Sequence, residues 1–418
     1  MKGFYTALAL LLIFNSCKES GVPIAKPSTF VRYFNGGFPD QSENIIETAD
    51  KGFLILANTL TNTTLSNTYY KIKLIKTDAY GNLVWEKFFP EFPKDGATAV
   101  PSYRGFGLSA IQDNTGAETG YVIVGDQING ITSHSLLMLQ VDKNGSAINS
   151  TPKTFNLGSI NIQGVGVAQA KNTSGDFFVL GQVQSGTKDM FFAQIDKATL
   201  DTVWTKGFGA GACTLANRLF LDVTEQSAYW GGTNKRAGAS NSEIRLVQSG
   251  FNSQIVGFDL NYGDLSYNLT GADLCPYGYG YAVVGSHSAL SSNLYDSIVF
   301  TRVSTDGTQL SGSGRSFPLL FSQSVQPANS ICSTGDGGLL LLGTVALDAQ
   351  GTDTDYYLIK IDAFGKQIWA KRQGGTFKDQ GVRVLQASDG GYVVLGTTNL
   401  ANVESIFLMK TDQQGEIQ

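Results

Sequence analysis

Histidine is almost missing from this chain: His134 and His287 are the only two among 418 residues. Two side chains from distant parts of the sequence argue against a Ser-His-Asp relay or a histidine-built metal centre. Each is expected in a loop after an apolar strand. Cysteine is scarce as well, with four scattered residues and no Cys-x-x-Cys pair, which argues against a disulfide framework and against a structural zinc site. Positive charge is thin: 30 Lys and Arg against 35 Asp and Glu give a net charge of -5, and no basic run occurs. A nucleic-acid surface needs clustered cations to displace counterions from phosphate, so none is expected.

What the chain does have is 49 glycines and 11% aromatic residues, with only 16% charged. That balance suits many short strands joined by tight turns better than long solvated helices.

The first residues stand apart. Lys2 gives a basic start, Ala7 to Phe14 an apolar core, and small or polar residues precede Cys17, the order of a secretory signal and too short to span a bilayer. The run Leu12-Ile13-Phe14-Asn15-Ser16-Cys17 resembles the lipobox of bacterial lipoproteins, in the form associated with the Bacteroidota. The resemblance implies cleavage before Cys17, acylation of that cysteine and a membrane anchor, since two or more acyl chains hold stably where one is marginal. Residues 1–16 are then a signal peptide, 17–28 a lipidated tether containing Pro23 and Pro27, and 29–418 one domain. The implied address is the outer membrane, on its periplasmic or cell-surface face.

That domain is a repeat array. An apolar run recurs at Phe53 to Ala57, Tyr121 to Gly125, Phe177 to Gly181, Ala228 to Gly232, Tyr281 to Gly285, Leu339 to Gly343 and Tyr392 to Gly396. Spacings of roughly 50 to 60 residues, after a longer first interval, suit the four-stranded blades of a propeller. Continuous rather than alternating hydrophobicity places both faces of each run between neighbouring sheets. Most runs close on a glycine, which fits where space is tight. A following strand ends in a turn whose aspartate recurs as Asp78, Asp142, Asp196, Asp306, Asp362 and Asp412, the residue type that caps backbone amides two positions on. A fourth strand carries Trp85, Trp204 and Trp369.

The last repeat stops where its fourth strand should begin, and the missing piece lies near the N-terminus. Thr29 to Gly37 aligns with Ile368 to Gly375, and both precede an Asp-Gln pair, Asp40-Gln41 and Asp379-Gln380. The expected fold is therefore all-β: a seven-bladed propeller of four-stranded antiparallel blades, closed by an N-terminal strand pairing into the last blade. Two repeats deviate, with Pro101 to Gly120 read as an insertion before Tyr121 and Lys235 and Arg236 in a polar loop of the fourth.

The repeat Gly-Gly-Tyr-apolar-Gly, then Lys-x-Asp-x-x-Gly and Trp-x-Lys, resembles propeller lipoproteins of the Bacteroidota. The element Asp362-x-x-Gly365-x-x-x-Trp369, matched at Asp78, Gly81 and Trp85, is similar to the tryptophan-docking element of quinoprotein-type propellers, which implies that these rings lock blades together. The sialidase Asp-box has a tighter spacing than is found here.

No convergent catalytic set is legible. Asp40, Gln41, Asp95, Asp379 and Gln380 precede or open first strands, on the face where propellers bind ligands, and form the candidate binding set. Asp353 and Asp355 fall short of a calcium shell, so no metal is expected, and no cofactor. Cys213, Cys275 and Cys332 fall on first strands, three cysteines of which at least one is free, and Cys332, aligned with Ile46 and Leu385, reads as a buried apolar thiol. The expected role is a non-catalytic envelope lipoprotein whose loop face binds a protein or glycan. The alternatives are a polysaccharide-acting hydrolase or lyase with carboxylates at the channel mouth, and a scaffold for outer-membrane assembly.

Overall fold

The computed structural model describes residues 28–417, leaving out 65–66, 92–100, 130–132, 150, 156–160, 172–173, 184–189, 209–211, 223–226, 236–239, 252–255, 264–265, 292–293, 312–313, 319–327 and 349–350. Its twenty-eight strands form seven sheets of four, all antiparallel, with no helix among the described residues. Counting blades in chain order, the innermost strands are Asp40–Glu47, Ser102–Gln112, Ile162–Gln169, Ala212–Asp222, Tyr267–Tyr277, Ala328–Ser333 and Asp379–Gln386. Each touches the next, and the seventh touches the first, so the sheets stand in a closed ring around a channel.

Closure is made as the aligned motifs predict. Phe30–Phe34 pairs antiparallel with Val403–Thr411, Phe30 opposite Lys410 and Phe34 opposite Ile406, and becomes the outermost strand of blade 7. The apolar runs are the second strands, and residues such as Leu339 to Leu342 are buried on both faces. Pro101 to Gly120 is not an insertion. It holds the innermost strand of blade 2, Ser102–Gln112, and the turn after it. Its glycines and serine hide the strand from an apolar pattern. Lys235 ends a strand of blade 4, Ser227–Lys235, and Arg236 lies outside the described residues.

The recurrent turn aspartates cap their turns. Asp362 Oδ1 accepts from the Phe364 and Lys366 amides at 2.8 and 2.9 Å, and Asp78 and Asp412 repeat the pattern. Those amides hold the Asp362 carboxyl below its ordinary range. The lysine two residues earlier has a job the sequence did not reveal. Lys76, Lys360 and Lys410 are buried and reach Asp50, Asp336 and Asp389, in the turns between first and second strands, at 2.6–2.9 Å.

The tryptophans lock blades together. Trp85 lies over Gly145, in the turn of the next blade, and Trp369 over Gly415; Phe30 takes the same place over Gly81 at the ring closure. Added side chains would collide: a Cβ at Gly415 would lie 2.9 Å from the Trp369 ring, and the backbone there has φ +74°. Gly116, at φ +85°, has no atom within 4 Å of the same position and isolates the backbone strain. Gly415→Ala is expected to cost about 1–3 kcal/mol in urea unfolding, more than Gly116→Ala, because strain and collision add.

Candidate functional site at the channel mouth

A repeated backbone defect builds the channel wall. Each innermost strand pairs with its second strand until one position, where register slips and a residue is left unpaired. In six blades that residue is Glu43, Phe106, Val165, Ala272, Asn329 or Val382. In blade 4 the slip spans Leu215 to Leu219. Such bulges re-aim side chains. They also explain the glycine that closes the apolar runs, because it stands beneath the carbonyl that precedes the bulge. A Cβ at Gly125 would lie 1.8 Å from the Arg104 oxygen, and at Gly285 2.4 Å from the Thr270 oxygen.

The residue after that closing position usually ties neighbouring blades together. Asn58 Oδ1 accepts from the Gly105 amide at 2.8 Å, Thr233 Oγ1 from Gly271 at 3.0 Å, Ser286 Oγ from Ala328 at 3.1 Å and Thr397 Oγ1 from Ser42 at 3.0 Å. Blade 2 breaks the rule with Asp126. Its buried carboxylate accepts from Arg104 Nε and Nη2, at 3.0 and 2.6 Å, and meets His134 Nδ1 at 2.8 Å. The guanidinium of Arg104 in turn lies over the Tyr70 and Phe106 rings.

Glu43 is the one carboxylate among the six single-residue bulges. It lines a cavity of about 650 Å³ at the channel mouth, on whose wall lie Gln41, Tyr295, Gln380, Arg383 and Glu404. Asn58 Nδ2 donates to Glu43 Oε1 at 3.0 Å. Burial of the carboxyl lifts its pKa to about 7; the Asn58 bond and the charges of Arg383 and Arg104 oppose the rise, and Asp126 adds to it. A carboxylic acid poised near neutrality in a concave site can give or take a proton at working pH. Arg383 is held at 3.2 Å by Asp273, which is buried and also accepts from Ser330 Oγ at 2.8 Å.

The expected binding residues separate into two groups. Gln41 and Gln380 line the cavity, Gln41 bonding Glu404 at 3.4 Å. Asp40 and Asp379, one position earlier, turn into the blades: Asp40 meets Lys73 and Thr59, and Asp379 accepts from the Gly375 amide at 2.6 Å. Asp95 and Cys17 lie outside the described residues. The histidines are not loop residues. His134 is on a strand, Ser133–Asp142, and so is His287, on Gly280–Ala289, each with an aspartate on Nδ1. Cys275 and Cys332 are buried thiols. Among the described residues no three His, Cys, Asp or Glu side chains gather as a ready metal cluster.

No protein-family model and no curated protein matches this chain. Solved structures match at the level of fold. An α-L-arabinofuranosidase from Fusarium graminearum, in complex with an iminosugar inhibitor, is 10% identical, with TM-score 0.48, over 94% of this chain and 99% of that one. A protein of unknown function from Dyadobacter fermentans is 10% identical, with TM-score 0.47, over 93% and 98%. A subtype N10 neuraminidase-like protein of A/little yellow-shouldered bat/Guatemala/060/2010 is 11% identical, with TM-score 0.44, over 75% and 98%.

The expectation of a non-catalytic binding module is corrected at this point. It rested on the lack of a convergent catalytic set, whereas the ring brings Glu43, Asp126, Arg104 and Arg383 into one electrostatic neighbourhood.

Proposed function

We propose that the protein is a glycan-acting hydrolase working at the channel mouth, with Glu43 as proton donor to the leaving oxygen. The observation that carries this reading is the Glu43 carboxyl, lifted to about 7 on the wall of an open cavity. Glycosidic cleavage needs such an acid and a second carboxylate. Glu404, on the same wall, supplies the latter. Asp126, paired with Arg104 at 2.6 Å, sets a further carboxylate nearby, and carboxylates favour the cationic character that develops on the sugar in the transition state. The test is release of reducing ends from a panel of envelope and extracellular polysaccharides. Turnover of none of them would sink the proposal.

The enzyme is further proposed to be an outer-membrane lipoprotein of Bacteroidota type, acylated on Cys17 and meeting a glycan rather than nucleic acid. The residues from Lys2 to Cys17 support this reading. Cys17→Ser is expected to move the protein from the membrane fraction to the soluble fraction of the source cell, and a variant that stays with the membrane would remove the anchor from the proposal.

A further inference from the structure

Six buried side-chain nitrogen or oxygen atoms among the described residues have no hydrogen-bond partner. Three of them, Asp353 Oδ1, Asp355 Oδ1 and Asn399 Oδ1, come from the junction of blades 6 and 7, and all three are acceptors. Buried acceptors left unmatched are costly, so a concentration of them in one corner points to a missing positive partner.

Asp355 is 5% exposed. Its Oδ2 takes Arg372 Nε at 3.2 Å, and its Oδ1 points at the Gly374 backbone. A Cβ on Gly374 would lie 1.9 Å from Asp355 Oδ1 and 3.0 Å from Asp379 Oδ2. Two carboxylate oxygens, one from each blade, therefore gather beside the Gly374 backbone, where no side chain intervenes. Asp379 Oδ2 is held there by the Gly375 amide, and Thr354 Oγ1 donates to the Asp379 carbonyl at 3.0 Å. Asp353 adds a third negative charge, and Arg372 alone does not balance three.

We propose that this notch binds a divalent cation of calcium type, ligated by Asp355 Oδ1 and Asp379 Oδ2, and that the ion clamps blade 6 to blade 7. Hard cations complete their shells with carbonyl oxygens and water, so two carboxylates with neighbouring backbone suffice for a site of modest affinity. Spacing along the chain hides the pair, because its members are brought together only by the docking of one blade on the next.

The test is calorimetric titration of the full chain with calcium chloride after stripping with chelator, alongside melting in calcium and in chelator. The expected result is one site with a Kd of about 10⁻³ M or tighter, and a Tm higher by about 2 °C or more in saturating calcium. Asp355→Asn should lose the binding heat and the calcium-dependent part of the Tm, whatever its own stability. Wild-type protein that binds no calcium and melts identically in both buffers would overturn the proposal. So would an Asp355→Asn protein that binds calcium like the wild type.

Discussion

Glu43→Gln is expected to abolish glycan turnover, by about 10²–10⁴-fold, while making the protein more stable above neutral pH. The loss follows from removing the proton donor, because an amide keeps the bond from Asn58 but has no acidic proton to give. The gain follows from linkage. The carboxyl titrates near 7 in the folded chain, above its ordinary 4.5. Its favourable contribution is full below the unfolded value and fades as pH rises through the folded one. Above that range an ionised carboxylate sits in the channel wall at a cost of at most about 3 kcal/mol. The variant lacks this term, so its advantage over wild type should be largest near pH 8 and absent near pH 4. Melting curves at both pH values, with the reducing-end assay, separate the two effects. Wild-type activity should fall as pH rises through about 7. Full activity in the glutamine variant would take Glu43 out of the chemistry.

Lys73→Met should be the most damaging single change among the polar residues of blade 1. Lys73 is wholly buried between Asp40 at 2.7 Å and Glu86 at 2.8 Å. Removing the cation leaves Asp40 buried with only Thr59 as a close side-chain partner, at a cost of about 3–5 kcal/mol. Burial already raises the Asp40 carboxyl despite Lys73, and without the lysine it would rise further. A folded-state pKa above the unfolded value means stability kept at low pH and lost as pH climbs. The variant should therefore approach wild type in acid and fall away toward neutrality. Adding Asp40→Asn to Lys73→Met should recover much of the loss, since no unpaired charge remains. Urea unfolding of the four proteins at two pH values measures the coupling, and additive losses would mean that the pair does not act as one unit.

These two residues also mark how far the sequence could be read. The blade count, the turn aspartates, the docked tryptophans and the ring closure were legible because each is local and recurs with the repeat. Gly337 to Gly375 contains one copy of nearly every such element. The cavity was not legible in that way. The twin Asp-Gln pairs led to the right strands, but strand alternation sends Asp40 and Asp379 into the blades while Gln41 and Gln380 line the opening. Glu43 reaches the channel through a bulge, which no period of two reveals. Asp126 carried a signal that was readable in principle: it follows the closing glycine of its run, where four other blades have Thr or Ser. Its meeting with His134 depends on a hairpin whose length the repeat does not set.

The strand that closes the ring also gives the molecule a direction. Phe30 lies opposite Lys410 and over the turn glycine Gly81, at the end of the barrel-shaped body remote from Glu43, and the chain then runs toward the opening through Phe34. Ser28, bonded by Lys410, is therefore on the floor side. A leash running back from Ser28 to a lipidated Cys17 would moor the propeller by its floor. The opening would then look away from the bilayer, toward long polymers arriving from the aqueous phase, with lipid headgroups out of its reach.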